Sequence, residues 1–195
     1  MLGSGLGLSS VARATTYDES VSGDLSGNRL APTAIPLTVG SNRITATSSA
    51  GDVEYFHLTV PPGTRMSAIV VVSNTGASLS FIAVQRGGTF TEPPTGTNVA
   101  QLLGYSHFGV GNGTIGTDIL DNIGTGAGAI GFLPPLTPGD YTFWSQETSG
   151  VPSTYTLDFQ VTTVATAAPM PRYSLWLMAF MLAAIGIRMV RRYTR

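Results

Sequence analysis

The feature that most constrains the fold of this chain is a strict alternation of apolar and polar residues. It is clearest in residues 154–162, where Tyr155, Leu157, Phe159 and Val161 lie on one side and polar residues on the other. Successive side chains of a strand point to opposite faces, so the pattern predicts a strand with one buried face. Similar runs occupy residues 53–60, 65–73, 78–85 and 140–147, with weaker ones at 35–39 and 43–47. Turns rich in Gly and Pro separate these runs, which favours an all-β fold, an antiparallel β-sandwich of jelly-roll type.

Composition supports this class and excludes several kinds of site. The chain has 195 residues, enough for one domain with a core plus a terminal segment, and its 24 glycines and 12 prolines suit many short strands. It has no cysteine, which excludes disulfides, thiolate metal sites and thiol nucleophiles. Residues 68–72 are apolar on both faces, which predicts a central position for that strand in its sheet.

Residues 87–131 differ from the rest of the body and are rich in Gly, Thr, Asn and Pro. They predict a long excursion between strands, with a helical turn at 118–123 and a short strand or helix at 98–105. Two stretches in this region match the pattern G-x-G-x-x-G, but the chain has no βαβ unit around them. We interpret both stretches as glycine-rich loops.

Charge is distributed unevenly along the chain. All eleven acidic residues lie between Asp18 and Asp158, and only four of the ten arginines share that stretch. An acidic body disfavours nucleic acid as a partner, because binding a phosphate backbone requires a basic surface.

The C-terminal part predicts a short transmembrane helix at 173–190, interrupted only by Ser174 and Arg188. Tyr173 and Trp176 lie where an interfacial aromatic belt is expected, and the arginines that follow favour a cytoplasmic C-terminus. The alternative is a C-terminal core helix, which the arginine-rich flank disfavours.

The same region resembles a sorting signal. Pro169-Met170-Pro171-Arg172-Tyr173-Ser174-Leu175-Trp176, followed by an apolar run and arginines, is similar to the tripartite signals of the PEP-CTERM and IPTL-CTERM families. The residues that carry this resemblance are Pro169, Pro171, Ser174, Trp176, Arg188, Arg191 and Arg192. The resemblance implies export, recognition by an exosortase-type membrane enzyme, and delivery to a cell surface or extracellular matrix that contains polysaccharide.

The N-terminal residues 1–14 predict the remnant of a secretory signal peptide. Residues 2–8 are mildly apolar, and Ala12-Arg13-Ala14 supplies small residues at the two positions that a signal peptidase reads. The alternative is a disordered tail with a chance match. The predicted organisation is then an outer domain at 15–164, a linker with the sorting motif at 165–172, the membrane helix at 173–190 and a basic cytoplasmic tail at 191–195.

The body also resembles bacterial pre-peptidase C-terminal (PPC-like) β-sandwiches over residues 17–164. Gly51-Asp52-Val53-Glu54-Tyr55-Phe56 with Val60-Pro61-Pro62-Gly63 is similar to one segment of that family. Gly139-Asp140-Tyr141-Thr142-Phe143 with Tyr155-Thr156-Leu157 is similar to its closing hairpin. The resemblance implies a sandwich fold.

Five acidic residues are candidate calcium ligands: Asp18, Glu19, Asp24, Asp52 and Glu54. Calcium takes about six to eight oxygen ligands, so acids near the start of the body and at the head of a strand could converge on one ion. The PPC-like resemblance supports this site, since some such sandwiches hold calcium between an acidic leader and the first strands. The alternative is that these are solvated acids in turns.

Two histidines and one tryptophan are further candidates for a functional role. His57 and His107 lack a second histidine at ligand spacing, and we expect His57 to lie on the surface. Trp144 has the opposite parity to Tyr141 and Phe143, which predicts that it points to the other face of its sheet. There it could stack on a sugar or a partner, or it could pack beneath the 87–131 excursion.

The sequence therefore predicts a non-enzymatic, exported surface or matrix protein, anchored in the inner membrane before delivery. A second hypothesis is a calcium-assisted carbohydrate- or protein-binding module anchored in the envelope. A third is an enzyme of unrecognised type, which requires a polar cleft formed by residues 87–131.

Overall fold

The computed structural model describes residues 14–165, in which two β-sheets pack face to face. The elements in chain order are β1 (Thr15–Asp18), α1 (Glu19–Ser22), β2 (Thr33–Pro36), β3 (Gly40–Ser48), β4 (Val53–Val60), β5 (Thr64–Thr75), β6 (Ser80–Arg86), β7 (Gly104–Phe108), α2 (Leu120–Gly124), β8 (Gly139–Glu147) and β9 (Ser153–Thr163). The four-stranded sheet has the order β1-β3-β9-β5, and the five-stranded sheet has the order β2-β4-β8-β6-β7. All nine strands belong to one compact unit that ends at Val164. The expectation of an all-β sandwich is confirmed at this level.

The alternating residues form the strands because one face of each sheet is buried against the other. In β9, the apolar set that begins at Tyr155 and ends at Val161 is almost completely buried. Aromatic rings from both sheets meet in the middle of this core, where the rings of Phe56 and Phe143 stack with centroids 5.4 Å apart. Phe159 meets both rings edge-on. Burial of such rings is the main favourable contribution to the stability of the fold.

Two strand pairs are parallel, so the prediction of a wholly antiparallel sandwich is wrong for them. β1 lies parallel to β3, and β2 lies parallel to β4. No hairpin joins either pair, so no tight turn imposes an antiparallel direction. Between β1 and β2, the crossing segment (residues 19–26) leaves the four-stranded sheet and reaches the five-stranded one, where the Tyr55 amide donates to the Ser26 carbonyl oxygen at 2.8 Å.

The strand that contains residues 68–72 lies at an edge, not at the centre of its sheet as predicted. Residues 116–119 cover the free edge of β5. The Val71 amide donates to the Thr117 carbonyl oxygen at 3.0 Å, and the Ile119 amide donates to the Ile69 carbonyl oxygen at 2.9 Å. Covering an edge removes the unpaired backbone groups that would otherwise attract another strand.

The predicted excursion at 87–131 is an ordered layer of the domain. It contains β7, α2 and a 3-10 turn at Val99–Gln101, so both of its predicted elements are present within a few residues of their expected positions. Phe90 and Leu102 from this layer are buried against the outer face of the five-stranded sheet. The excursion therefore adds a second, smaller hydrophobic cluster to the domain.

Among residues 14–165, no helix is long and apolar enough to cross a membrane. The segment predicted to do so, at 173–190, lies outside the described residues, as do the signal-peptide remnant and the basic tail.

Gly104 provides a test of how closely the excursion packs. A Cβ at this position would overlap the backbone carbonyl oxygen of Ile123 in α2. We expect Gly104→Ala to lower the free energy of unfolding by about 1–3 kcal/mol, because backbone cannot move aside as a flexible side chain can. The measurement is the urea midpoint, with Gly88→Ala as control, since a Cβ there meets only His57 Nε2 at 3.9 Å. Equal midpoints for the two variants would contradict close packing of α2 on β7.

Candidate metal centre

The N-terminal acids reach the end of the sandwich through β1 and α1. Asp18 ends β1 and caps α1, where its Oδ1 accepts bonds from the Ser20 amide at 2.9 Å and the Ser20 hydroxyl at 2.6 Å. These two bonds hold the pKa of the Asp18 carboxyl below its usual value, the hydroxyl having the larger effect. Asp18 therefore serves α1 as a cap.

Glu19 ties three parts of the chain together at this end. Its Oε1 accepts a bond from the Leu25 amide at 3.1 Å. Its Oε2 accepts bonds from the Thr47 amide at 2.6 Å and the Thr47 hydroxyl at 3.1 Å. The carboxylate thus joins α1 at the start of the crossing segment, Leu25 near its end, and β3, and backbone donors set its position.

Glu54 is the residue that makes this end unusual. It lies on the inward face of β4, on the same side as Phe56 and Leu58, and it is 0% exposed. Neither of its carboxylate oxygens accepts a hydrogen bond from the described residues, and only its protonated form can bond to the neighbouring carboxylates of Glu19 and Asp52. A buried ionised carboxylate with no partner is energetically costly. Such a group is expected to bind a proton or a cation from solution.

The environment of Glu54 strongly favours its neutral form when no cation is present. Burial raises the pKa of Glu54 to about 9, and the negative charges of Glu19, Asp52 and Asp24 add to the shift in that order. A cation in the same place would reverse this preference, because it stabilises the ionised carboxylate.

Glu19, Asp24 and Glu54 together have the geometry of a cation site. One carboxylate oxygen from each lies within 4.8 Å of the others. Three oxygens within this separation lie at most about 2.8 Å from a common centre, so small side-chain adjustments bring one calcium ion to its usual 2.3–2.6 Å from all three residues. Carboxylate oxygen is a hard ligand, and this donor set suits calcium or magnesium better than zinc or copper.

Asp52 lies beside this group without completing it. It is not one of the three residues whose oxygens lie close together. Its pKa is raised by burial and then by the charge of Asp24, which places it in the same negative field. Asp52 lines a neighbouring cavity of about 450 Å³ together with Arg29 and Tyr55. Of the five candidate ligands, the structure brings three together and leaves Asp18 and Asp52 outside.

Residues that sequence reasoning missed complete the surroundings. Thr47 positions Glu19, and the hydroxyl of Tyr17 donates to the Gly23 carbonyl oxygen at 2.7 Å, which fixes the turn before Asp24. The Tyr155 hydroxyl is buried in the core; burial raises its pKa, and the negative charge of Glu54 adds to the shift. Thr47 and Tyr17 belong to no recognisable motif; for Tyr155 the available signals were its place in the Tyr155-Thr156-Leu157 match and its inward parity in β9.

Trp144 occupies the buried position that was the alternative to ligand stacking. It points to the outer face of the five-stranded sheet, as its parity predicts, but it is only 3% exposed. Its ring meets Phe81 edge-on at a centroid distance of 4.8 Å and Phe90 at 5.7 Å, and it stacks on Tyr55 at 6.3 Å. The excursion covers it, so its ring face is not available to a sugar in this conformation.

Tyr55 in this outer cluster offers a stability test. Its hydroxyl is buried without a hydrogen-bond partner, so removing it relieves the cost of an unsatisfied polar group. We expect Tyr55→Phe to raise the free energy of unfolding by about 1 kcal/mol. Tyr105→Phe is the matched control, because that hydroxyl donates to the Ala127 carbonyl oxygen at 2.9 Å and its loss should not stabilise the protein. Denaturant unfolding of both variants measures the two changes in stability. A destabilised Tyr55→Phe protein would contradict the conclusion that the Tyr55 hydroxyl is unsatisfied.

The two histidines have ordinary surroundings. His57 Nε2 lies 3.2 Å from Asp140 Oδ1, and the Thr59 hydroxyl donates to the same oxygen at 2.6 Å. His107 is exposed and packs edge-on against Phe81. The neighbouring Ser106 hydroxyl donates to the His107 backbone carbonyl oxygen, not to its ring.

The sorting-motif residues lie outside the described part of the chain: Pro169, Pro171, Ser174, Trp176, Arg188, Arg191 and Arg192. No protein-family model matches the chain, and no curated protein sequence matches it either.

Proposed function

We propose that this chain is a non-enzymatic, exported surface or matrix protein whose β-sandwich binds one calcium ion between its crossing segment and β4. The observation that carries the calcium part is the buried carboxylate of Glu54, whose two oxygens accept no hydrogen bond from the described residues while Glu19 and Asp24 lie within reach of the same ion. An apolar environment cannot stabilise an ionised carboxylate that is buried alone, whereas a divalent cation supplies a compensating positive charge.

The ion would act as a clamp on the fold. Glu19 and Asp24 belong to the crossing segment, whereas Glu54 belongs to β4 in the five-stranded sheet. An ion bound to all three would hold the segment that joins the two sheets against the end of the core. Calcium sites of extracellular modules have dissociation constants of about 10⁻⁴–10⁻³ M, which suits a protein that is loaded only after export.

The calcium part is tested by isothermal titration of the full-length protein with Ca²⁺. We expect one site per chain, with binding lost in Asp24→Asn. Asp121→Asn is the control, because Asp121 is an exposed acid in α2 that is not part of the cluster. An Asp24→Asn protein that binds Ca²⁺ as tightly as the wild type would refute the site.

The second part of the proposal is the cellular location of the protein, which the C-terminal sequence supports. The apolar run with its arginine-rich end favours an inner-membrane anchor with a cytoplasmic C-terminus. The similarity of the preceding residues to PEP-CTERM and IPTL-CTERM signals favours processing by an exosortase-type enzyme. Association with extracellular polysaccharide follows from the same similarity.

Fractionation of cells that express an internally tagged protein tests this location. Residues 93–96 are exposed in the excursion and are therefore a suitable place for an insertion. Intact mass on each fraction should give a species outside the inner membrane that lacks the residues after about Pro171. A full-length species confined to the inner membrane would instead indicate a single-span anchored periplasmic domain.

A further inference from the structure

A surface cavity lies directly against the proposed calcium site. It has a volume of about 480 Å³, and Glu19 and Asp24 form part of its wall. The remaining wall is mostly hydroxyl-bearing, with Ser20, Thr45, Thr47 and Thr154. Asp24 is exposed, so an ion held by these acids would lie at the boundary between the protein and this cavity.

The protein alone does not fill the coordination sphere of such an ion. Each of the three acids places one oxygen close to the other two. Calcium takes about six to eight oxygens, so about three or more positions remain for water or for a ligand. Both oxygens of Glu19 already accept bonds from backbone amides, which favours a single bond from this residue to the ion.

We propose that a neutral, hydroxyl-rich ligand, such as a saccharide with two adjacent hydroxyls, binds from this cavity by coordinating the calcium ion directly. The inference rests on the proposed calcium site and adds the chemical class of ligand that the site takes. Two neighbouring hydroxyl oxygens are hard donors at a spacing that one ion accepts. The Thr154 hydroxyl of the wall can bond to the rest of a sugar ring, whereas the Thr45 hydroxyl bonds to Thr156 and the Thr47 hydroxyl bonds to Glu19.

Charge selects a neutral ligand over an anionic one. Asp18 also lines the cavity, so four carboxylates at or beside the site face the two positive charges of the ion. The body as a whole is acidic. An anionic glycan would meet this excess negative charge at close range, where its repulsion is large.

Terbium luminescence of the full-length protein counts the open positions. Tb³⁺ replaces Ca²⁺ at oxygen sites. Burial raises the pKa of Tyr17, and the charges of the three acids add to the shift, so Tyr17 lies close enough to them to serve as a sensitiser. Lifetimes in H₂O and D₂O give the number of bound waters. We expect at least two waters, and we expect an excess of methyl α-D-mannopyranoside to displace them. The same sugar with every hydroxyl methylated should displace none.

Thr154→Val places the sugar in this cavity, because Thr154 lines it and is not a candidate ion ligand. We expect several-fold weaker sugar binding with unchanged Tb³⁺ affinity, whereas Thr163→Val, at the other end of β9, should change neither. Bound Tb³⁺ without water, or with water that the sugar does not displace, would overturn the inference and leave the calcium site intact. Unchanged sugar binding in Thr154→Val would also overturn it. Absence of Tb³⁺ and Ca²⁺ binding would overturn both the inference and the calcium site.

Discussion

Saturating calcium is expected to raise the melting temperature of the full-length protein by roughly 5–10 °C, since a ligand at about 100 times its dissociation constant adds about 2.7 kcal/mol to the stability of a domain of this size. The physical reason is that the ion binds only when Glu19, Asp24 and Glu54 are brought together by folding. Differential scanning calorimetry in EDTA and in about 10–100 mM Ca²⁺, which is about 100 times a dissociation constant of about 10⁻⁴–10⁻³ M, measures the shift.

Two variants locate the source of this stabilisation. Glu54→Gln keeps the shape of the side chain but removes its charge, so calcium should leave its melting temperature nearly unchanged. Asp121→Asn should respond as the wild type does, because it removes an exposed acid far along the chain. A wild-type protein whose melting temperature does not respond to Ca²⁺ would contradict the account.

Without calcium, the stability of the protein is expected to fall as the pH rises from about 5 to about 8. The pKa of Glu54 is raised from 4.5 to about 9 in the folded protein. Between these two values the unfolded chain has released a proton that the folded chain retains, so each pH unit costs the folded state up to about 1.4 kcal/mol. The destabilising contribution of Glu54 to folding is therefore absent below about pH 4.5 and complete above about pH 9.

Glu54→Gln isolates this effect, because its neutral amide needs no proton and can donate to the neighbouring carboxylates. In EDTA at pH 8 we expect the variant to be more stable than the wild type, by an amount on the order of a few kcal/mol. Urea unfolding between pH 5 and pH 8 measures both proteins. Parallel pH profiles for the two proteins would show that the Glu54 carboxyl has an ordinary pKa in the folded state.

The strands were predictable because burial of one face imposes a parity on the sequence. In β8 the parity separated Phe143, which lies in the main core, from Trp144, which lies in the outer cluster. The parallel pairing of β1 with β3 and of β2 with β4 was not predictable, because four-residue strands carry too short a pattern to specify a partner or a direction. The edge position of β5 could not be predicted for another reason. Residues 116–119, which bond to its free edge, lie more than 40 positions away in the sequence.

The candidate site was predictable only in outline. A charged residue on the buried face of an alternating strand is a signal, and Glu54 has the same parity as Phe56, Leu58 and Val60. The sequence could not distinguish Glu19, which joins the cluster, from its neighbour Asp18, which caps α1. That distinction depends on the path of the crossing segment, which tertiary contacts with Thr47 and Tyr55 determine.

The most direct test of the central claim is an anomalous difference map from crystals of the protein grown with Ca²⁺. The account predicts one strong peak at about 2.3–2.6 Å from a carboxylate oxygen of each of Glu19, Asp24 and Glu54. A map with no peak at these residues, and with Glu54 bonded only to a neighbouring carboxylate through a shared proton, would contradict it.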